Sequence, residues 1–367
     1  MVKKIITYSS CFLLITLMTL SLYALSMLSR HRDFDRDIVM GLYAEKKKSL
    51  DMIYIGSSSC YRYWQPLTAW EEEGFTSYDF GTSALAPQVI KYYIEEVRKT
   101  QKPSLYVIDV RPFQYGDEPA PYGATFMHSE PVIRRSTGSF NYSINQINMI
   151  NTCVKDPTER LSYYFDFIKY HSNVDQAFDD VASFLKGENQ DLIDYTTNKK
   201  THHYKGHLIA GKISPEPLVF QDFSSIKEET PLPDELNTIY LDLLRYIKKL
   251  NVPTLFIVCP YIQQESHKMR YNYMARIANE NGIGFLNVHD EYEKTLIDFE
   301  SDLYDENHVN VVGAEKYTKY LVNYLKEHYD LPDKRTNDSY ISWNKDLAQF
   351  KTDVEVAKEA IANGATQ

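Results

Sequence analysis

The chain has 367 residues, 43% of them hydrophobic and 25% charged, with 14 Gly and 15 Pro; this is a globular composition with enough apolar material for a sizeable core. A formal net charge of −10 argues against a broad nucleic-acid footprint, because neutralising phosphates takes clustered Lys and Arg. Four cysteines with no CxxC pair argue against a disulfide framework or a structural zinc site.

The first feature along the chain is an apolar run from Ile5 to Ser29 without a charged residue, preceded by Lys3 and Lys4 and followed by Arg30, Arg32 and Arg36. As a helix it spans about 37 Å, enough to cross a bilayer with some tilt, and it is longer than the apolar region of a cleaved signal peptide. The expectation is an uncleaved transmembrane anchor over 5–29, followed by a juxtamembrane linker over 30–50. Positive charge on both flanks leaves the orientation open.

From residue 51 onwards strands and helices alternate. Short strands are predicted at 51–56, 77–81, 104–110, 254–259 and 284–288. Helices are predicted at 60–73, 87–98, 235–250, 263–281 and 314–328. Strands separated by helices imply an α/β fold, a three-layer doubly wound parallel sheet covered on both faces. The alternation breaks over about 111–234, an aromatic-rich polar segment with helical patterns near 141–151, 158–171 and 173–187. It reads as an insertion at the C-terminal end of the third strand, the edge where open α/β sheets bind ligands. The 331–367 tail is polar, with an amphipathic helical pattern over 340–363. Most of the 30 Tyr recur at helical spacing and read as packing.

Two short blocks carry chemistry. Ile55-Gly56-Ser57-Ser58-Ser59 ends the first strand, where a Ser is exposed at the sheet edge beside the N-terminus of the next helix. By itself such a Ser reads equally as an N-cap, and Cys60 occupies the place of the second Gly of a G-x-S-x-G elbow. Asp305-Glu-Asn-His308 precedes the last helix of the sheet domain, and one short segment of this kind supplies both a base and the acceptor that orients it. A third block, Asp79-Phe-Gly81-Thr-Ser83, ends the second strand. In a parallel sheet all three meet on one edge.

Their order and spacing resemble the SGNH/GDSL hydrolase superfamily over roughly 51–110 and 235–328. The resemblance implies Ser58 as nucleophile, Gly81 as an oxyanion N–H donor, Asp305 as acid and His308 as base. That family's third block ends in an Asn, whereas this chain reads Ile108-Asp109-Val110-Arg111-Pro112 there. Arg111 is the candidate replacement donor, with an ion pair to Asp109 as its structural alternative. The Gly-Ser-Ser block behind an N-terminal membrane helix is similar to the branch that includes D-alanyl-teichoic-acid transfer and polysaccharide O-acetylation proteins. This similarity implies a catalytic domain outside the cell membrane, a cell-surface polysaccharide or wall polymer as substrate, and a membrane-bound O-acyltransferase as partner. It implies no cofactor and no metal.

The functional expectation is an acyltransferase or esterase; the alternative is a non-catalytic scaffold that binds glycan or recruits the acyltransferase. Three rival features weigh less. Cys60 falls inside a predicted helix. His202, His203 and His207 lack a carboxylate or Cys at ligand spacing and read as a loop lining the substrate groove. His289-Asp290 are adjacent, so their side chains diverge.

Overall fold

The computed structural model describes residues 2–29, 34–120, 123–165, 168–169, 171–188 and 200–366. The N-terminal run forms a helix, α1 (Val2–Ser29). Among the described residues no helix is long and apolar enough to cross a membrane. The side chains described on α1 are those of residues 7–22, about 24 Å of helix.

The segment expected as a linker belongs to the core. Within it α2 (Phe34–Ala44) buries Ile38, Val39, Met40 and Leu42, and the Tyr78 hydroxyl donates to its Ile38 carbonyl at 2.7 Å. Gly41 makes this approach possible, since a Cβ there would stand 2.5 Å from the Tyr78 oxygen. The sequence concealed this because the apolar face of α2 is interleaved with Asp35, Arg36 and Asp37. Asp35 in turn accepts from the Ser83 backbone and hydroxyl, tying α2 to the C-terminal end of the second strand.

Next come β1 (Met52–Gly56), α3 (Ser58–Tyr63), α4 (Pro66–Glu73), β2 (Ser77–Gly81), α5 (Ile90–Arg98) and β3 (Leu105–Asp109). The helix predicted over 60–73 is thus two helices. Pro66 cannot donate to the preceding turn, so the first helix stops and Pro66 opens the second at its first position. Gly74, at φ 75°, ends α4 in a left-handed cap.

The insertion contributes α6 (Pro112–Tyr115), α7 (Glu130–Gly138), α8 (Ile144–Cys153), α9 (Leu161–Tyr164) and α10 (Val174–Lys186). Of the helix expected over 158–171, the described residues show the four residues of α9, helical residues at 168–169 and a short 3-10 turn at its end. The sheet domain resumes with α11 (Asp234–Leu250), β4 (Thr254–Val258), α12 (Glu265–Glu280), β5 (Gly284–Asn287), α13 (Tyr292–Thr295), the hairpin β6 (Leu303–Asp305) and β7 (His308–Val309), and α14 (Val311–His328). α11 has Asp234 and Glu235 in its first turn and Lys248 and Lys249 in its last, matching the helix dipole.

The main sheet has order β2-β1-β3-β4-β5 and is parallel throughout. Alternate residues face opposite layers: Ile53, Ile55, Ile108 and Phe256 point into one cluster, while Met52, Tyr54, Val107 and Ile257 point into the other. Helices α5, α11 and α12 cover the first face, and α3 and α14 the second. This is the expected layered α/β architecture.

Both outer segments pack back on this frame. The last helix, α15 (Ile341–Ala362), buries Trp343, Phe350, Val354 and Ala357, with the Trp343 ring 5.4 Å from that of Trp70 of α4 and tilted 42° to it. The tail read as polar is therefore an integral helix whose buried side chains are spread thinly along it. The insertion returns along the free edge of β2, where Asp79 N–H donates to the Lys205 carbonyl at 2.9 Å and shields an otherwise open strand. Gly206, at φ 93°, permits this contact because a Cβ would stand 2.1 Å from the Asp79 carbonyl. Lys205 is buried between Glu45 at 3.0 Å and Asp346 of α15 at 2.8 Å, clasping the N-terminal region, the insertion and the C-terminal helix together.

Candidate active site

The site grows from the C-terminal ends of β1, β2 and β3. Here the strands crowd so closely that only glycine fits at two positions. A Cβ on Gly56 would stand 2.7 Å from the Asp109 Cβ, and one on Gly81 would stand 2.5 Å from the Gly56 carbonyl. Gly81 is paired with Gly56 in the register, and what the structure shows for it is this steric requirement.

Ser58 is the first residue of α3. The N-cap position belongs to Ser57, whose hydroxyl makes no capping bond. The two serines flanking Ser58 face Asp109 instead: Ser57 donates to its Oδ2 at 3.3 Å, Ser59 donates to the same oxygen, and the two hydroxyls lie 3.0 Å apart. Asp109 is fully buried, and its other oxygen accepts from the Arg111 backbone N–H at 2.9 Å. Burial pushes its pKa up against the charge of Arg111 and the hydrogen bonds from Ser59, the Arg111 backbone and Ser57. Asp109 braces the turn from below and leaves the Ser58 hydroxyl free to point elsewhere.

It points at His308. Ser58 Oγ lies 2.6 Å from His308 Nε2, and His308 Nδ1 lies 2.8 and 2.9 Å from the two oxygens of Asp305. Local structure explains the second contact. Asp305 and His308 are register partners across a two-residue β-hairpin turn, which sets their side chains side by side. Immediately after, Asn310 caps α14 by accepting from Val312 and Gly313 backbone N–H at 3.0 and 3.2 Å, fixing where the hairpin ends.

The electrostatics suit a base. Burial, with the positive charges of Arg111 and Arg62, holds the His308 pKa below its ordinary value despite the pull of Asp305 in the other direction. The imidazole is therefore neutral near pH 7, with Nδ1–H donated to Asp305 and a lone pair on Nε2 facing the serine hydroxyl. Burial works to raise the Asp305 carboxyl, but the hydrogen bond and charge of His308, with the Asn307 and His308 backbone N–H groups, outweigh it and hold Asp305 low. His308 and Asp305 side chains are 19% and 28% exposed, so a substrate has access to the pair.

Arg111 is buried above this edge, and among the described residues its guanidinium goes to neither Asp109 nor any other carboxylate. Nη1 donates to the Asn307 carbonyl at 3.1 Å, Nη2 donates to Asn307 Oδ1 and to the Tyr115 hydroxyl at 3.2 Å each, and the group sits 4.1 Å over the Tyr261 ring. Tyr115 also donates to Asn307 Oδ1, and Tyr63 donates to the Asn307 carbonyl at 3.2 Å. Asn307 occupies the hairpin turn between Asp305 and His308, so Arg111 acts as the anchor of the acid–base hairpin. With both terminal nitrogens so engaged, the ion pair weighed from sequence does not form, and the Arg111 site is a clamp.

The structure thus brings Ser58, Asp305, His308, Arg111 and Gly81 to one edge. It adds Asp109, Ser57, Ser59 and Asn307, which the sequence reading passed over as parts of motifs rather than as partners. Only Asn307, lying inside the Asp305–His308 block, carried a positional hint.

The rival features resolve by their contacts. The Cys60 sulfur points into the core at the Tyr54 carbonyl and Asp79, and burial raises its thiol well above its ordinary range. His202 Nδ1 accepts from the Tyr204 and Gly206 backbone N–H groups, shaping the turn that runs beside β2. His207 is buried and its pKa falls to about 3 through desolvation first and the charge of Arg62 next. His289 Nε2 lies 3.1 Å from the Gln221 carbonyl while Asp290 pairs with Lys268, so the adjacent residues serve separate partners. No protein-family model, curated protein or solved structure matches the chain.

Proposed function

We propose that this protein is a serine esterase or O-acyltransferase of the SGNH type, anchored in the cell membrane by α1 and acting outside it on acyl groups, O-acetyl above all, of a cell-surface polysaccharide. The observation that carries the reading is the unbroken hydrogen-bond chain Ser58–His308–Asp305 at the C-terminal edge of the parallel sheet.

In this mechanism Ser58 Oγ attacks the acyl carbonyl carbon while its proton passes to His308 Nε2. Asp305 stabilises the imidazolium and keeps Nδ1 protonated. The carbonyl electrons move onto oxygen, where Gly81 N–H and the free N–H groups opening α3 are the proposed donors. Collapse of the intermediate expels the alcohol, which takes the proton from His308 and leaves an acyl-Ser58. A sugar hydroxyl or water then attacks that ester, giving its proton to His308, and release of Ser58 returns the proton to Oγ. The incoming oxygen alone separates transfer from hydrolysis, and a membrane-bound O-acyltransferase partner would favour transfer by supplying acyl groups.

Anchoring is supported by the surface of α1. Phe12, Leu13, Leu14, Ile15, Leu17 and Met18 are all more than half exposed, and nearly consecutive positions cover every face of a helix. A helix that exposes so many large apolar side chains suits lipid or partner helices better than water.

The test is labelling with a fluorophosphonate, together with p-nitrophenyl acetate hydrolysis. Labelling and hydrolysis that vanish in Ser58→Ala support the reading. A wild-type chain that neither labels nor hydrolyses would return it to a scaffold that binds glycan or recruits the acyltransferase.

A further inference from the structure

A cleft of about 580 Å³ lies against α3, lined by Arg62, Tyr204, Leu208, Ile209, Asp353 and Val356. Arg62 ties it to the catalytic edge. It stands four residues after Ser58 on the same short helix, hence on the same face. Its guanidinium lies 5.2 Å over the ring of Tyr304, the residue before Asp305, and its charge is one of those that depress the His308 pKa. Arg62 is thus shared between the cleft wall and the surroundings of Ser58 and the Asp305–His308 hairpin.

Arg62 is a cation without a carboxylate. Its recorded polar contacts are long ones from Nη1, 3.4 and 3.5 Å to the Leu208 and Ile209 carbonyls, and among the described residues it makes no ion pair. Arg98, Arg245, Arg276 and Arg335, all on the surface, each hold a carboxylate. A second lining residue has the complementary chemistry. Asp353 accepts from the Tyr204 hydroxyl at 2.6 Å and from Gln349 at 3.0 and 3.1 Å, which fixes a carboxylate with lone pairs left to accept further donors. The cleft lining thus combines a guanidinium free to pair, a carboxylate suited to hydroxyl donors, and apolar Leu208, Ile209 and Val356.

We propose that this cleft is the acceptor subsite and that it selects an anionic, hydroxyl-rich glycan. Arg62 pairs with a carboxylate or phosphate oxygen on the sugar unit next to the reacting hydroxyl, while Asp353 accepts hydroxyl donors further along. The proposal rests on the serine acyl-transfer reading of Ser58 and sharpens its substrate class. A guanidinium matches either oxyanion through two parallel N–H donors, so the shared chemistry is the anionic oxygen pair.

Two measurements test it. The first compares kcat/KM for 4-acetoxybenzoate with that for its neutral methyl ester, in wild type, Arg62→Gln and Arg62→Lys. The expected result is that the anionic-to-neutral ratio falls about tenfold in Arg62→Gln, the loss of a charge-assisted pair, and partly recovers in Arg62→Lys. An unchanged ratio, or equal losses on both esters, overturns the proposal. The second measures calorimetric binding to the catalytically silenced Ser58→Ala chain of polygalacturonate, poly(glycerol phosphate) and neutral dextran. Binding of either acidic polymer that weakens with Arg62→Gln and with added salt supports the cleft and tells carboxylate from phosphate. Dextran binding as tightly as both, or none binding, overturns it. If both esters are hydrolysed normally by Ser58→Ala, the catalytic reading fails by itself and the binding measurement alone judges the cleft.

Discussion

Two buried cations organise this molecule, and they are built on opposite principles. Lys205 sits where α2, the returning insertion and α15 meet, and two carboxylates, Glu45 and Asp346, pair with it. Arg111 sits over the edge that carries Ser58 and His308 and is held by neutral groups: an amide oxygen, a backbone carbonyl, a phenol and the face of Tyr261. A cation flanked by two carboxylates casts no net positive field on its surroundings and serves as a staple. An uncompensated guanidinium keeps its positive field, and that field falls on His308, where it disfavours the imidazolium. The clasp therefore bears on whether the chain is folded, and the Arg111 clamp on how the folded chain reacts.

The comparison can be broken most decisively at its extremes. Ser58→Ala should lower ester hydrolysis on the order of 10⁴-fold or more while leaving the thermal melting midpoint essentially unchanged, because the proposed role of the hydroxyl is as nucleophile and its packing contribution is small. Residual activity within tenfold of wild type would remove the site from the comparison altogether. At the other pole, Lys205→Met should destabilise the fold by about 3–5 kcal/mol, since Glu45 would be left buried and unpaired. Urea unfolding measures this, and activity per folded molecule should persist; a folded variant with collapsed kcat would show that the clasp also serves catalysis.

Arg111→Lys should reduce kcat about 10²-fold with little change in KM, because an ammonium cannot hold both Asn307 oxygens and the hairpin drifts. Asn307→Ala should match it, and the double variant should be no worse than either single, as expected for two ends of one contact. Additive losses would place Arg111 on the reacting atoms instead. The smallest effect is in the pH profile. His308 must be neutral to accept a proton, and burial first, then Arg111 and Arg62, hold its pKa down. The acid limb of kcat/KM should therefore lie below the ordinary imidazole range of about 6.5, and Arg62→Gln should move it upward. A limb above that range in the wild type contradicts the electrostatic picture.

Much of the site was legible because its chemistry is local in sequence. Asp305 and His308 meet through a two-residue hairpin, and Ser58 follows directly from a strand whose Gly56 terminus is visible as a motif. The partners that hold these groups were not legible. Asp109 braces Ser57 and Ser59 from 52 and 50 residues away, and Arg111 reaches Asn307 across 196. No spacing rule couples such positions. The fold shows the same division: the five buried strands announced themselves as short apolar runs and α15 as an amphipathic pattern, whereas α2 read as polar because its buried face includes Asp35 and Arg36.

The sequence by itself therefore determined the layered α/β frame, and the sheet edge on which Ser58, His308 and Asp305 meet, since periodicity and motif order act over a few residues. Tertiary structure alone decided that Arg111 is a clamp and not an ion pair with Asp109, that Asp109 braces the turn at Ser58, that both ends of the described sheet domain close over Lys205, and that Arg62, near His308, makes no ion pair among the described residues. Each depends on strand order and on which chain segments the sheet brings together, and pairing of distant residues leaves no periodic trace in the chain.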